Sequence, residues 1–218
     1  MERDRGWIAP ALGIVFFLLV LVGAILTGEG KDPAKDSAEE IAEYYSDNES
    51  QQLWGAFLVA LGMVPFLFFA GYLRRILYRA EGGQGWLPTV AWGGAVVLAA
   101  GATVGASLNF ALADYADELD PTAMQAINAI VYDFFWPFPI GMSLLLLATG
   151  LSALRSGVLP RWLAWIAVVA GVVCMLGPAG FFGFLAGVLW ILVASIVLTA
   201  RARQGGRQAP PRAPTTAA

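Results

Sequence analysis

The sequence predicts an all-α protein, a polytopic membrane bundle of six transmembrane helices. Three observations favour this class. Of the 218 residues, 58% are hydrophobic and 13% are charged, whereas a soluble domain usually has about 25% charged residues. Long apolar runs recur along the chain, and each lacks Lys and Arg through its middle. The arginines are concentrated in every second segment between the runs, as in proteins that cross a membrane several times.

Six runs approach the length of a membrane-crossing helix, which needs about 20 apolar residues. They cover residues 7–27, 52–77, 87–112, 124–151, 161–177 and 180–200. The fifth run is short, and only four residues separate it from the sixth. We predict two helices joined by a tight turn there, with a single re-entrant hairpin as the alternative.

The transmembrane domain is predicted to cover residues 1–201. The tail at 202–218 is rich in Pro, Gln, Gly, Thr and Ala. Such a composition cannot bury enough apolar surface to fold, so we predict a disordered tail.

The arginines orient the six helices. With six crossings, all eleven arginines lie on one side of the membrane, and only Lys31 and Lys35 lie on the other. Basic residues favour the cytoplasmic side, so both termini are predicted to be cytoplasmic. The eleven are Arg3, Arg5, Arg74, Arg75, Arg79, Arg155, Arg161, Arg201, Arg203, Arg207 and Arg212.

The predicted outer loops are acidic. Residues 28–50 carry eight Asp or Glu and two Lys, and residues 113–124 carry four acidic residues and no basic one. Such a field repels anions and concentrates cations. Acidic loops also keep a surface soluble and agree with the orientation rule, so charge alone assigns no function to this face.

The first outer loop is predicted to contain a short amphipathic helix over residues 33–48. Ser37-Ala-Glu-Glu40 fits a capping box, in which Ser37 caps the helix and Glu40 reaches back to it. Ile41, Tyr44 and Tyr45 give the helix an apolar side. We expect it to lie on the outer membrane surface or over the bundle as a lid.

The fourth run contains one ionisable residue, Asp133, within the stretch YDFFWPFPIGM at residues 132–142. Counted from Ala123, Asp133 lies roughly 15 Å along a helix, near the middle of the membrane. Acids at that depth are costly and usually serve a function. No Lys or Arg lies in the outer half of any run. Asp133 is therefore predicted to be a neutral acid or to hold a foreign cation.

Two prolines follow the acid. Pro137 cannot donate a hydrogen bond to the carbonyl of Asp133, and Pro139 cannot donate one to the carbonyl of Phe135. Free carbonyls are tolerated at membrane depth where they line a cavity or meet protein partners. A kink that collects them beside an acid predicts a polar pocket.

Neighbouring side chains complete the predicted site. Asn128 and Tyr132 lie on one side of the same helix, and Ser107 and Asn109 lie at the outer end of the third run. Aromatic faces beside a carboxylate attract a cation. The predicted ligand-binding residues are Asp133, Tyr132, Trp136, Asn128, Asn109 and Ser107.

A structural role explains the same residues. A protonated Asp133 that bonds to Asn109 or Ser107 would join two helices, and Gly101-x-x-x-Gly105 would let them approach closely. The sequence leaves both interpretations open.

Several chemistries are excluded. The chain has no His and one cysteine, Cys174, which excludes a His/Cys metal site and an internal disulfide. It has no phosphate-binding loop and no cofactor motif, so we predict neither a cofactor nor a metal. We predict no nucleic-acid partner, and the sequence does not fix an oligomeric state. No second carboxylate lies near Asp133 in the runs, which argues against hydrolysis by paired acids.

Three segments resemble a family of small six-helix bacterial membrane proteins, a domain of unknown function. They are AEEIAEYYSDNESQQLWGAFLVALG, YRAEGG and the G-x-L-P step that opens the fifth run. The resemblance covers most of residues 7–200. It implies a six-helix fold in the plasma membrane of a bacterium. It does not indicate which activity the protein has or which residues would be catalytic.

Three functions fit these observations. The first is a transporter-like or binding protein for a small cationic or amphiphilic ligand, with an outward-facing pocket at Asp133. The second is a membrane-embedded enzyme on a lipid or isoprenoid, with Asp133 as its general acid. The third is a non-catalytic structural or accessory bundle. The lipid bilayer is the one partner that all three share.

Overall fold

The computed structural model describes residues 6–207, and the side chains of residues 6–204. These residues form helices and no strand, which confirms the all-α prediction for the described part. The helices are α1 (Ile8–Thr27), α2 (Ala38–Asp47), α3 (Glu49–Ala80), α4 (Leu87–Asp114), α5 (Pro121–Asp133), α6 (Pro137–Ser156), α7 (Arg161–Val173) and α8 (Gly180–Arg207). A short 3-10 helix, Gly177–Ala179, precedes α8.

Five segments are long and apolar enough to cross a membrane, judged by length and composition. They are Ile8–Thr27, Glu49–Ala80, Leu87–Asp114, Pro121–Ser156 and Gly177–Gln204. The chain thus has the build of a helical membrane protein. Helix α7 is apolar but has 13 residues, or roughly 20 Å of helix against about 30 Å of hydrocarbon.

The six long or apolar helices α1, α3, α4, α6, α7 and α8 form a closed ring. Each packs against the next in this order, and α8 returns to pack against α1. Large side chains fill the middle of the ring, among them Phe66, Phe69, Met142, Leu146 and Trp190. Many outward side chains are large, apolar and exposed, as expected of a surface that contacts lipid.

Glycines bring the ring helices together. Gly94 of α4 and Gly141 of α6 face each other, and a Cβ on Gly94 would lie 2.6 Å from the carbonyl oxygen of Gly141. Gly23 of α1 and Gly55 of α3 meet in the same way. Transmembrane helices associate through such close packing, because the hydrophobic effect does not drive helices together within lipid.

The two ends of the ring differ in charge. One end, here called the arginine end, carries the basic residues at the ends of α3, α6 and α8 and the start of α7. Arg203 lies 4.6 Å from the ring centroid of Trp7, and Arg201 donates to the carbonyl oxygen of Val158 at 2.9 Å. These contacts join the start of α1, the α6–α7 loop and the end of α8 on one side.

The opposite end is covered by a cap, defined as the loop at residues 28–37 together with α2 and α5. The predicted capping box is confirmed. Ser37 Oγ accepts from the amide of Glu40 at 3.2 Å, and Glu40 Oε2 accepts from the amide of Ser37 at 2.8 Å. Ile41 and Tyr45 of α2 are buried against Leu112 and Met124. The cap therefore has a small hydrophobic core of its own.

The predicted tail begins differently from expectation. Helix α8 continues to Arg207, so residues 202–207 are helical rather than disordered. The remainder of the predicted tail, 208–218, lies outside the described residues.

Candidate functional site

The stretch around Asp133 is a break between two helices rather than a kink within one. Helix α5 ends at Asp133, and α6 begins at Pro137 after a three-residue turn. Pro137 becomes the first residue of α6, a position that needs no amide donor. The predicted run at 124–151 thus lies within one membrane-long apolar segment, Pro121–Ser156, and that segment has a break where a kink was predicted.

The carbonyls that the prolines were expected to free are both bonded. The amide of Phe135 donates to the carbonyl oxygen of Asp133 at 2.7 Å. The amide of Phe138 donates to the carbonyl oxygen of Phe135 at 3.1 Å. The turn satisfies its own backbone, so it builds no pocket of unpaired carbonyls.

Packing against α4 sets the depth of Asp133. Gly101 packs against Pro137, and Gly105 packs against Phe134 and Phe138. Gly105 lies roughly 27 Å along α4 from Leu87 at 1.5 Å per residue. Asp133 precedes Phe134, so it lies beside the half of α4 that is nearer the cap.

The Asp133 side chain is exposed. Within residues 6–204 it makes no hydrogen bond and no salt bridge; the two salt bridges found there join Lys31 with Asp36 and Lys35 with Asp32. The four cavities described in this structure lie elsewhere. The carboxylate is thus a surface group beside the α5–α6 turn.

Aromatic side chains surround the turn. Tyr132 and Trp136 are 52% and 66% exposed, so both rings are accessible from outside. Phe135 packs against Phe138 and Phe181, with ring centroids 6.3 and 6.1 Å apart. The start of α8 thereby joins the aromatic surface that follows Asp133.

Two predicted site residues lie on α4 with different surroundings. Ser107 Oγ donates to the carbonyl oxygen of Thr103 at 2.8 Å, within its own helix. Asn109 Oδ1 is buried and has no hydrogen-bond partner among the described residues. Neither side chain bonds to Asp133.

Asn128 belongs to the cap. Its Oδ1 accepts from the hydroxyl of Tyr45 at 3.1 Å, and its Nδ2 donates to the carbonyl oxygen of Lys31 at 3.0 Å. One turn earlier, Gln125 Nε2 donates to the carbonyl oxygen of Pro33 at 3.3 Å. The polar side of α5 thus binds the loop and α2, and Asn128 is buried within the cap.

A second polar group, not singled out from the sequence, joins the cap to the ring. Gln52 Nε2 donates to the carbonyl oxygen of Thr27 at 2.8 Å and to the hydroxyl of Tyr44 at 3.0 Å. The Tyr44 hydroxyl also donates to Thr27 O at 3.0 Å. Thr27 ends α1, so these bonds satisfy a helix-terminal carbonyl. The sequence pattern assigned Tyr44 and Tyr45 to the apolar side of the helix. Their hydroxyl groups, which form hydrogen bonds in the cap, were the only sequence signal for this polar role.

The comparisons with known proteins agree with this architecture. A family model described as a domain of unknown function, DUF4386, matches residues 9–202. The chain belongs to the DUF4386 family. No curated protein and no solved structure matches it. The match confirms the resemblance to an uncharacterised family.

In this DUF4386 member the cap also perturbs its ionisable groups. Burial, with the neighbouring Tyr44, raises the pKa of Tyr45 to about 12, so its hydroxyl stays a donor. The hydrogen bond from the backbone amide of Ser37 lowers the pKa of Glu40. A hydrogen bond from Lys35 lowers the pKa of Asp32. Within the described part of this DUF4386 chain, no group of three His, Cys, Asp or Glu side chains is arranged to hold a metal.

Proposed function

We propose that this protein crosses a bacterial plasma membrane six times and binds a small cationic amphiphile at the α5–α6 turn. Asp133 is the anionic group of this site, and Tyr132 and Trp136 supply its aromatic faces. The observation that carries the proposal is an exposed carboxylate with no cation or hydrogen-bond donor in the described chain, beside two exposed aromatic rings.

Charge and aromatic chemistry support a cation. Exposed cation–π contacts contribute about 0.5–1 kcal/mol, and an exposed ion pair contributes about 0.2–1 kcal/mol. The cap end carries many carboxylates, while its lysines Lys31 and Lys35 are paired with Asp36 and Asp32. A cation is therefore drawn to this end.

The apolar surface beside the acid supports an amphiphile rather than a bare ion. Met175, Leu176, Phe181 and Phe182 at the α7–α8 turn are 69%, 58%, 48% and 69% exposed. The turn lies level with Pro139, since Gly180 packs near that residue. A ligand with an apolar body can rest on this turn while its cationic head faces Asp133.

The proposed topology places the arginine end in the cytoplasm. Every arginine whose side chain is described lies at that end, and Lys31 and Lys35 lie at the other. The positive-inside rule favours this orientation. The cap and the Asp133 site then face outward, and α7 with the short turn before α8 makes the fifth crossing.

A pair of ions of matched shape tests the site. Tetraphenylphosphonium and tetraphenylborate have similar size and opposite charge, and equilibrium dialysis against the purified full chain in neutral detergent measures their binding. We expect tetraphenylphosphonium to bind more tightly, and Asp133→Asn to weaken it roughly three- to fivefold. Asp114→Asn is the control, because it removes an exposed carboxylate at the same end of α4.

Two results would reject the proposal. Equal binding of both ions would show that charge does not determine binding. An unchanged phosphonium affinity in Asp133→Asn would show that this acid does not contribute to the site. Lower thermal stability of that variant with unchanged binding would instead support the structural bundle. No observation favours the isoprenoid enzyme, since a general acid of that type acts in an enclosed pocket and Asp133 is exposed.

A further inference from the structure

One side of α3 changes from apolar to basic along its length. Leu67 and Phe68, Gly71, Arg75 and Arg79 follow one another at steps of three or four residues. Residues at this spacing lie on the same side of a helix. The basic part of this stripe falls in the last turns of α3, at the arginine end.

Two adjoining cavities follow this stripe. The first has a volume of about 480 Å³, and the second has about 350 Å³. Both are lined by Gly71 and Arg75, so they adjoin on α3, and we call the two together the groove. The first also touches α1 and α4, and the second is lined by α3 alone. Ala9, Leu67, Phe68, Tyr72 and Trp92 line its apolar part, and Arg74, Tyr78 and Arg79 line its basic part.

The basic part has no anionic partner in the described chain. Within residues 6–204, no carboxylate lies within 4.0 Å of Arg74, Arg75 or Arg79; the salt bridges found there are both in the cap. Glu81 follows the stripe closely in sequence, but its carboxylate lies against Gly85. Three guanidinium groups therefore collect beside an apolar groove without neutralisation by the chain that is described.

Two other arginines at this end contact neighbouring parts of the chain. Arg201 donates to a backbone carbonyl, and Arg203 lies over the ring of Trp7. Three of the seven arginines whose side chains are described thus lie together on the last turns of α3, beside the groove.

We propose that this groove binds an anionic phospholipid, with the lipid phosphate at Arg75 and its two basic neighbours and one acyl chain along the apolar part. Arginine pairs well with phosphate because its guanidinium can donate two parallel hydrogen bonds. Basic pockets between transmembrane helices on the cytoplasmic side are suited to anionic headgroups. The long Arg stems keep the charges at the interface while contacting the apolar wall.

The shape of the groove favours a lipid over a soluble anion. Phe68 is 64% exposed, so the apolar part opens sideways toward the hydrocarbon. A free phosphate would use the arginines and leave that part empty. A diacyl phospholipid occupies both parts at once, and its headgroup and chain lie at the depths where the basic and apolar residues are.

Native mass spectrometry of the purified full chain tests the proposal. The probes are phosphatidylglycerol and phosphatidylcholine with identical acyl chains, in equimolar mixed micelles. We expect preferential retention of phosphatidylglycerol. Arg75→Gln should weaken it roughly fivefold, since one basic residue near an anionic surface contributes about 1 kcal/mol. Replacing Arg74, Arg75 and Arg79 together by Gln should abolish the preference.

Arg155→Gln is the matched control, because Arg155 is exposed at the same end of the ring but does not line the groove. Equal retention of the two lipids would overturn the proposal. A loss in Arg155→Gln as large as in Arg75→Gln would do the same, since it would show attraction to the whole basic end. Size-exclusion profiles and circular dichroism establish that each variant is folded.

Two further arms separate a lipid from a soluble anion. Gly71→Leu keeps every charge and fills the apolar part; a Cβ at this position makes ordinary contact with Trp92, at 3.5 Å. We expect this variant to retain less phosphatidylglycerol. Inorganic phosphate and glycerol 3-phosphate should not displace the lipid at millimolar concentration. Full retention in Gly71→Leu, or displacement by either soluble anion, would overturn the lipid assignment. The groove and the Asp133 site lie at opposite ends, so either proposal can fail alone.

Discussion

The cap and the α3 groove are both rich in polar groups, but they use them in opposite ways. In the cap, Tyr45, Asn128 and Gln125 bond to one another or to backbone carbonyls of the loop. In the groove, Arg75 and Arg79 have no carboxylate within 4.0 Å among the described residues. Paired polar groups hold a structure together, whereas unpaired charges in a groove are available to a ligand.

This difference decides which polar residues are structural. Asn128 and Asp133 lie five positions apart on α5, and the sequence placed both in one ligand site. Both polar atoms of Asn128 are bonded within the cap. Asp133 is exposed and has no such partner in the described chain. The number of partners, and not polarity alone, separates the two roles.

The largest expected effect is in the cap. Asn128→Ala leaves the buried hydroxyl of Tyr45 without its acceptor, and an unsatisfied buried polar group costs about 1–3 kcal/mol. We expect the free energy of cap opening, measured by hydrogen exchange of the α2 amides, to fall by about 2 kcal/mol.

A double-mutant cycle controls this prediction. With Tyr45→Phe already present, no hydroxyl is left unpaired, so Asn128→Ala should cost less. Tyr115→Phe removes a hydroxyl from a tyrosine that is 52% exposed and should change little. Additive effects of Tyr45→Phe and Asn128→Ala would show that their bond does not hold the cap.

A smaller effect is expected at the start of α2. Ser37→Ala removes the side-chain acceptor of the Glu40 amide, and loss of such a cap costs about 1 kcal/mol. Exchange of the first α2 amides should accelerate while the α4 amides in the middle of the ring are unchanged. Ser50→Ala is the control, because the Ser50 side chain is exposed and bonds to no other described residue.

The same cap should respond to acid. The pKa of Glu40 is lowered from 4.5 in the folded helix. Its contribution is therefore present above the unfolded value and lost as pH falls through the lowered pKa. Below pH 4.5, the difference in α2 exchange between wild type and Glu40→Gln, measured at equal pH, should narrow. A difference that is constant from neutral pH to pH 3 would contradict this linkage; Asp32 responds in the same direction in both proteins.

The smallest effect on stability is expected in the groove. Arg75→Gln removes a charge with no ionic partner in the described chain, so thermal stability in lipid-free detergent should change by less than about 0.5 kcal/mol. A loss as large as that of Asn128→Ala would mean that Arg75 is structural, and the contrast between the two regions would fail. If added phosphatidylglycerol stabilises the wild type and not the variant, Arg75 contributes to lipid binding and not to the stability of the fold.

The sequence by itself determined which segments are apolar helices, where α1 and α4 begin, and the capping box of α2. It also determined that the arginines and the two lysines lie at opposite ends of the helices. These features depend on neighbours within one or two turns or on the hydropathy of one segment, so local reading suffices. The prolines at 137 and 139 also indicated that the helix is disturbed there.

Only the tertiary structure decided whether that disturbance is a kink or a break. Asn128 and Gln125 of α5 bind the loop before α2, more than 80 residues earlier in the chain, and so hold α5 in the cap. The depth of Asp133 follows from the contacts of Gly101 and Gly105 with α6 and the turn before it. The apolar part of the groove exists only because α1, α3 and α4 lie side by side there. Each of these features depends on contacts between residues far apart in sequence. Local sequence patterns do not indicate such contacts.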